Sequence, residues 1–342
     1  MKAMLLKKLC HIQEQDTPLE LCELPVPIPG KGEILLKISA CGVCHTELDE
    51  IEGRTPPPNL PVIPGHQVVG RVAGMGEAVT GMLIGNRVGV GWIFSACGNC
   101  EFCLAGKENL CMDFRATGRD AHGGYAEFMV VPAAFCYPIP ASISDFEAAP
   151  LLCAGAIGYR SLNLTCLKNG EILGLIGFGA SAHLVLKMVM HRFPNSSVFV
   201  FTRSQKEQDF AMQLGASWAG DIDDKPPGLI NSIIDTTPAW KPIVKALENL
   251  KPGGHLVINA IRKENIDHDW LLNLDYPRHL WMEKKIKSVA NVTRADIIQF
   301  LDLAAHASIK PEIQMFALAE ANQALVELKN RITHGSKVLK IG

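Results

Sequence analysis

Four cysteines lie within fifteen residues of this chain, in the stretch ACGNCEFCLAGKENLC (96–111). They are Cys97, Cys100, Cys103 and Cys111, with the spacing C-x2-C-x2-C-x7-C. The bacterial ferredoxin motif opens with the same spacing but closes with x3-C-P, whereas here the last gap is seven residues and Met112 follows. A structural zinc needs only four thiolates around the ion, and Gly98 and Gly106 permit the tight turns of such a wrapping. The spacing favours a structural zinc over an iron–sulfur cluster, a disulfide or chance clustering.

The total of 11 cysteines is odd, and it bears on the compartment. The N-terminal apolar run is brief and is interrupted at Lys7 and Lys8, so a signal peptide is not expected. An odd count without an export signal predicts a reducing compartment, the cytoplasm. The net charge of −2 and the lack of a long apolar run give no reason to expect a nucleic-acid or membrane partner.

A chain of 342 residues favours two domains. Short β-type runs with glycine-rich breaks, such as 32–40, 67–75 and 125–132, predict an irregular β-barrel-like domain over 1–150. A helix capped by Ser144 with Glu147 is predicted next.

Strands and helices then alternate, which predicts a parallel doubly wound sheet over 151–289. The predicted elements are a strand at 171–179, a helix at 181–193, a strand at 197–202, a helix at 204–216 and strands at 229–236 and 255–260. We expect the tail, 290–342, to return to the first domain.

The turn between the first of these strands and its helix fits the pattern G-x-G-x-x-A. Its residues are Gly177, Phe178, Gly179, Ala180, Ser181 and Ala182. In this context the glycines allow a tight turn and a close approach to a pyrophosphate, and the alanine keeps the helix near the strand. The helix N-terminus supplies free N–H groups for the anion. A dinucleotide site is predicted, with a ligand-free glycine turn as the alternative.

The end of the second strand bears on the choice of cofactor. An NAD site usually has a carboxylate there, but this chain has Thr202, Arg203 and Ser204, and the next acid is Glu207. An arginine with hydroxyl groups suits the 2′-phosphate of NADP, so NADP is favoured over NAD, unless Arg203 is only a surface charge.

Three further segments contain residues that commonly bind metals. The segment CGVCHTE (41–47) contains C-x2-C and a histidine, PGHQ (64–67) contains His66, and LLCAG (151–155) contains Cys153. Each alone is weak evidence, because a cysteine beside glycine is more often a core residue.

Together with the cysteine loop and the glycine turn, these segments resemble the zinc alcohol dehydrogenases of the medium-chain dehydrogenase/reductase family over nearly the whole chain. The motifs that carry the resemblance include CGVCHTE, PVIPGHQVVGRV, GNRVGVGWIFSACGNCEFCLAGKENLC, APLLCAGAIGY, GLIGFGASAH and SVANVTRAD. The resemblance implies a GroES-like catalytic domain built from both ends of the chain, with a Rossmann domain between them. It implies a catalytic zinc held by Cys44, His66 and Cys153, and a structural zinc in the cysteine loop. Cys41 matches no ligand.

The resemblance also assigns other roles. His45 and Arg294 resemble contacts to the cofactor pyrophosphate, and Trp92 resembles a wall of the substrate pocket. Thr46 resembles the first group of a proton relay, and Glu47 stands where an acid orients the zinc-bound histidine. Two positions depart from the usual pattern: Gln67 replaces a glutamate, and Asp49 stands where some members end their relay in histidine.

The implied function is reversible hydride transfer between an alcohol and NAD(P)+, giving an aldehyde or a ketone. The alcohol is expected to be primary, aliphatic or aromatic, and a cinnamyl-type or sugar alcohol also fits. The complete ligand set argues against a zinc-free quinone or enoyl reductase. The alternative is a zinc-containing, catalytically inactive nucleotide-binding regulatory protein, which the intact Thr46 opposes. The family resemblance implies a homodimer or homotetramer.

Overall fold

The computed structural model describes residues 1–12, 17–330 and 335–342. It divides into two compact units, one of Met1–Cys153 with Val292–Gly342 and one of Ala154–Asn291. The strands are β1 (Lys2–Leu5), β2 (Glu20–Glu23), β3 (Glu33–Val43), β4 (Gln67–Met75), β5 (Arg87–Val90), β6 (Ile93–Ser95), β7 (Arg115–Ala116), β8 (Phe128–Pro132), β9 (Cys136–Pro138), β10 (Ile172–Ile176), β11 (Ser197–Phe201), β12 (Trp218–Gly220), β13 (Ile230–Asp235), β14 (Leu250–Ile258), β15 (Lys285–Ser288), β16 (Ile313–Ala317) and β17 (Ser336–Lys340). The α-helices are α1 (His45–Ile51), α2 (Glu101–Leu104), α3 (Asp145–Pro150), α4 (Ala156–Thr165), α5 (Ala180–Arg192), α6 (Gln205–Gln213), α7 (Lys241–Asn249), α8 (Arg294–His306) and α9 (Ala321–Lys329).

The first unit is built on a largely antiparallel sheet in the order β16-β17-β3-β4-β5-β9, with β8 also beside β3. Alternate side chains of β3 enter a core that includes Leu36, Ile38, Val68 and Met129, as period-2 burial requires. In the β3–β4 pair, Gly42 lies opposite Gln67. This register brings the residue after β3, Cys44, near the residue before β4, His66, although they are 22 positions apart.

The cysteine loop lies between β6 and β7, which pair with each other. It contains α2 and a short 3-10 helix, Glu108–Leu110. Outside these two short helices the described loop is irregular, and its four cysteine side chains lie close together.

The second unit is a parallel sheet in the order β12-β11-β10-β13-β14-β15. Counted from β10, this is the order 3-2-1-4-5-6 of a Rossmann fold, in which ligands bind at the carboxyl ends of the strands where the order reverses. The β-rich first unit and this sheet confirm the expected fold class. The predicted strands and helices from β10 to β14 are present, and the structure adds β12 and α7, which were not predicted.

One predicted helix is interrupted. Ser144 caps α3 and forms a capping box with Glu147, as predicted. The helix then passes into a single π-helical turn, Leu151–Gly155, before α4 begins. Pro150 has no N–H group for the α-helical ladder, and this accounts for the change of hydrogen-bonding pattern at that point.

Within the described ranges, none of the helices combines the length and the apolar character needed to cross a lipid bilayer.

Candidate active site

The structure brings Cys44, His66 and Cys153 together in the first unit. One side-chain ligand atom of each lies within 4.8 Å of the others, and Cys44 Sγ is 3.7 Å from His66 Nε2. Two sulfur atoms and one imidazole nitrogen form a donor set that Zn²⁺ accepts, with a fourth position left for water or substrate. These residues therefore fit a catalytic zinc.

The first of these residues is positioned by a helix N-terminus. Cys44 is the N-cap of α1, and its Sγ accepts a hydrogen bond from Thr46 N at 3.3 Å. Contact with Cys153, burial and the Glu47 carboxylate all raise the pKa of the Cys44 thiol. A cation bound between the two sulfur atoms would lower the pKa of the Cys44 thiol again, because a thiol that coordinates a metal loses its proton.

Cys153 lies at the centre of the π-helical turn described above. Such single turns are frequent at functional sites, because they shift the direction of a side chain relative to a regular helix. The residue is half-buried, whereas Leu151 and Leu152 beside it are fully buried. The turn thus anchors two leucines in the core and leaves the sulfur at the candidate site.

Glu47 joins two of the candidate ligands. It is fully buried; its Oε1 lies 2.5 Å from His66 Nδ1, and its Oε2 accepts the Cys44 N–H at 2.8 Å. Burial favours a neutral imidazole, but the Glu47 carboxylate and Cys44 raise the pKa of His66 well above its ordinary range. The hydrogen bond at Nδ1 leaves Nε2 directed at the sulfur atoms, which is the orientation a metal ligand needs.

The four cysteines of the loop form a second candidate metal centre. Their sulfur atoms all lie within 4.8 Å of one another. The backbone N–H groups of Asn99 and Cys100 lower the pKa of Cys97 to about 7, which favours a thiolate. Gly98 and Gly106 have φ values of 76° and 66°, so both occupy the left-handed region that the turns require. The loop fits a tetrathiolate zinc.

Glu50 is a feature of this region that the sequence did not single out. It is 1% exposed, and neither of its carboxylate oxygens has a hydrogen-bond partner in the described part of the chain. Burial and the Glu47 carboxylate raise the pKa of Glu50 to about 8, against the opposing effects of His66 and Arg119. Its position three residues after Glu47, on the same face of α1, was the only signal available.

Trp92 contacts a cation and a second aromatic ring, which also contact each other. The guanidinium of Arg119 lies 5.5 Å from the centre of the Trp92 ring, and the Phe114 ring centre lies 5.3 Å away on a tilted plane. These contacts hold the indole in a defined orientation.

The predicted relay residues Thr46 and Asp49 lie on α1 together with His45, the predicted pyrophosphate contact. His45 is exposed and Thr46 half-buried in its first turn, whereas Asp49 is buried and accepts a hydrogen bond from Arg54 Nε at 2.5 Å. The structure thus gives the Asp49 carboxylate a cationic partner that the sequence did not indicate. Cys41 is fully buried in the core, where burial raises its pKa, and it belongs to neither cysteine cluster.

The glycine turn in the second unit has the features of a phosphate cradle. Gly177 has a φ of 76°, and an added Cβ would lie 2.7 Å from Thr236 Oγ1. An added Cβ on Gly179 would meet nothing within 4 Å, so the backbone is open to a ligand there. Gly179 is the N-cap of α5 and offers no side-chain cap, so the first N–H groups, from Ala180 and Ser181, can bind an anion. Ala182 is buried.

The end of β11 shows a contact that was not expected. Thr202 Oγ1 donates a hydrogen bond to the Glu207 carboxylate, which folds back from the first turn of α6. Ser204 caps this helix, and Arg203 is exposed. Both a carboxylate and a guanidinium are therefore near the strand end.

Arg294, the first residue of α8, is held by a buried glutamate of the cysteine loop. Its backbone N and its Nε donate to Glu108 Oε1 at 2.6 and 3.0 Å. No feature of the sequence indicated this contact between residues 186 positions apart.

Comparisons with known proteins agree with this geometry. Residues 30–141 match the family model described as the alcohol dehydrogenase GroES-like domain. The chain is 43% identical over 329 residues to a protein named probable alcohol dehydrogenase AdhA from Mycobacterium tuberculosis, covering 95% of this chain and 93% of the relative. It is 32% identical over 346 residues to an alcohol dehydrogenase of Geobacillus stearothermophilus, covering 98% and 99%.

Among solved structures, the fold is similar to that of a cinnamyl alcohol dehydrogenase from Sorghum bicolor, with a TM-score of 0.87 and 27% identity. That comparison covers 99% of this chain and 97% of the other. The site geometry and these similarities over nearly the full length lead to one conclusion: the chain belongs to the alcohol dehydrogenases of the medium-chain dehydrogenase/reductase family.

Proposed function

We propose that this alcohol dehydrogenase is zinc-dependent and transfers hydride reversibly between a primary alcohol and NAD(P)+. The observation that carries the proposal is the convergence of Cys44, His66 and Cys153, with Glu47 bonded to two of them. The GroES-like unit would be the catalytic domain and the Rossmann unit the cofactor domain. Each chain would hold two zinc ions and work in a homodimer or homotetramer.

The catalytic metal would be held by Cys44, His66 and Cys153. When bound there, zinc supplies a Lewis acid for the alcohol or carbonyl oxygen. Glu47 keeps the imidazole in the required tautomer, and Thr46, half-buried in the first turn of α1, is the proposed first acceptor of the substrate proton. Asp49 remains the proposed end of the relay, with its carboxylate held in place by Arg54.

The cofactor would be bound by the glycine turn and by cationic groups. Gly177, Gly179, Ala180, Ser181 and Ala182 would form the pyrophosphate cradle at the start of α5. We assign His45 and Arg294 as further phosphate contacts, in accord with the family resemblance.

The cofactor specificity would be set at the end of β11 by Thr202, Arg203 and Ser204. The exposed guanidinium of Arg203 supports NADP. The Glu207 carboxylate on Thr202 supports NAD as the second candidate, because a carboxylate at this edge suits a ribose 2′-hydroxyl.

The substrate would be a primary alcohol, aliphatic or aromatic. The orientated indole of Trp92, with Phe114 beside it, supplies a flat apolar surface that suits an aromatic ring. Similarity to a cinnamyl alcohol dehydrogenase agrees with this choice.

The test is a panel of aliphatic, aromatic and sugar alcohols with their aldehydes, assayed in parallel with NAD(H) and NADP(H). We expect the highest kcat/KM for an aromatic or long aliphatic primary alcohol with NADP+. Cys153→Ala should remove turnover, and Cys41→Ala, which alters a buried cysteine outside both clusters, should retain it. Turnover by Cys153→Ala at the wild-type rate would contradict the proposed metal site.

A further inference from the structure

The cysteine loop is linked to the rest of its unit by a buried charge. Glu108 lies in the 3-10 helix between Cys103 and Cys111, and it is 2% exposed. Its carbonyl oxygen accepts the Cys111 N–H at 3.1 Å. The glutamate is therefore tied through the backbone to the fourth cysteine of the cluster.

Among the residues that the structure describes, the Glu108 side chain forms hydrogen bonds with one partner, Arg294 at the start of α8. Its Oε1 accepts two hydrogen bonds from Arg294, one from the backbone N and one from Nε. A carboxylate at this point also complements the helix dipole. The loop thereby fixes both the first turn of α8 and the direction in which the arginine side chain leaves it.

The Arg294 guanidinium is held on a second side. Its Cζ lies 5.3 Å from the centre of the Phe135 ring. Nη1 and Nη2 make no hydrogen bond within the described residues, and the side chain is 43% exposed. Two fixed contacts thus leave the terminal donors of the fork directed outward and free for an anion.

We infer that Glu108 is a positioning residue that orients Arg294 for the cofactor phosphates, so that the cysteine loop contributes to cofactor binding. The inference rests on the proposed function, because it takes Arg294 as a phosphate contact. It gives the loop a role beyond holding a structural zinc: the cluster holds Glu108, and Glu108 holds the guanidinium in its binding orientation before the cofactor arrives.

The size of the effect follows from side-chain freedom. A long arginine side chain loses considerable rotamer entropy when it is fixed, and a preorganised group loses it on folding and not on binding. Releasing Arg294 should therefore weaken cofactor binding about tenfold. The charge of Glu108 acts in the opposite direction, because a carboxylate beside the guanidinium reduces its attraction for phosphate.

The experiment measures the Kd of NADPH and of NADH by fluorescence titration of the zinc-loaded wild type and variants. Glu108→Ala should raise both values about tenfold, and Glu108→Gln, whose amide oxygen can accept the same two N–H groups, should restore most of the affinity. The control is Glu101→Ala, which replaces an exposed glutamate of the same loop. This variant should bind NADPH and NADH with the Kd values of the wild type. Binding of AMP, which lacks the pyrophosphate, should be unchanged in every variant.

Arg294→Ala and the double variant Glu108→Ala/Arg294→Ala separate positioning from a general effect on the fold. If Glu108 acts through Arg294, the double variant should bind the cofactor no more weakly than Arg294→Ala alone. If the losses of cofactor affinity from the two substitutions add, the inference is overturned. It is also overturned if Glu108→Ala and Glu108→Gln both bind the cofactor more tightly than the wild type, because that result would show that only the charge of Glu108 affects binding.

Zinc content and thermal unfolding identify a variant that loses its loop. For such a variant, Arg294→Lys provides the test, because lysine keeps the positive charge but lacks the planar guanidinium that Glu108 orients. A cofactor affinity about tenfold lower than that of the wild type supports the positioning role. An affinity equal to that of the wild type overturns the inference. If the wild type binds neither NADPH nor NADH, the proposed function itself fails. If it binds them and Glu108→Ala does so equally well, only the positioning role fails.

Discussion

Replacing Glu47 by glutamine should weaken metal binding at the catalytic centre without unfolding the protein. Its carboxylate accepts the N–H of Cys44 with one oxygen and contacts His66 Nδ1 with the other. These two groups contact different oxygens of Glu47, and a glutamine has a carbonyl oxygen at only one of the two positions, so its NH2 group would face the other N–H group. One of the two ligands must therefore lose its partner.

The magnitude follows from what such partners contribute. Loss of a hydrogen-bonding partner of a metal ligand typically lowers metal affinity by about 10- to 100-fold, which corresponds to about 1.4–2.7 kcal/mol. Because Glu47 is fully buried and contacts two ligands, we expect the upper part of this range. The cysteine loop contains neither contact, so its zinc affinity should not change.

Competition with a chromophoric zinc chelator measures the two sites separately, as two phases of release, and kcat is followed in parallel. Glu147→Gln is the matched control, since Glu147 forms the same kind of capping box with Ser144 on α3 but contacts no candidate ligand. It should cost about 1 kcal/mol or less of stability and leave both phases unchanged. Identical zinc release from Glu47→Gln and wild type would refute the reasoning, and equal losses in both variants would show that only helix capping is involved.

Three further predictions concern the two metal centres, the cofactor and pH. Cys153→Ala should reduce the zinc content from two to one per chain and abolish turnover, whereas Cys103→Ala should also remove one zinc but chiefly lower the melting temperature; elemental analysis with calorimetry distinguishes them. Arg203→Asp should raise the KM for NADP+ and favour NAD+, and a wild type that already prefers NAD+ more than about tenfold would contradict the assignment. The pKa of Glu50 is raised from 4.5 to about 8 in the fold, so the unfolded chain releases this proton first and the free energy of unfolding falls as pH rises between these values. Glu50→Gln should remove this decrease in the free energy of unfolding. The difference in free energy of unfolding between Glu50→Gln and the wild type, measured by urea unfolding, should therefore grow from pH 5 to pH 8. A difference that stays constant over this range would contradict the raised pKa of Glu50.

Local motifs were predictable because their partners are close in the chain. The glycine turn at Gly177 and the capping box at Ser144 depend on residues within a few positions, and both are present. The alternation of strands and helices was sufficient to predict the Rossmann sheet for the same reason, since a parallel strand pair needs a crossover and the helices supply it. Pro150 was visible in the sequence, but the π-helical turn after it was not anticipated.

The candidate zinc ligands were identified by the resemblance of several motifs, since no spacing relates Cys153 to the other two residues. Only the fold shows how they meet: the register of β3 and β4 joins Cys44 to His66, and the π-helical turn places Cys153 beside them. A pairing register depends on the whole sheet and its core, so it cannot be read from either strand alone.

What the sequence determined by itself was therefore the class of fold, the family and the residue types available for metal and dinucleotide binding, because these depend on short-range spacing and on motifs. The tertiary structure alone decided which side chains act on those residues. The burial of Glu50, the return of Glu207 to Thr202 and the contact of Glu108 with Arg294 all depend on side-chain direction or on packing between distant segments. A charge in a sequence has no environment until the chain has folded around it, and it is the environment that determines its pKa, its partner and its function.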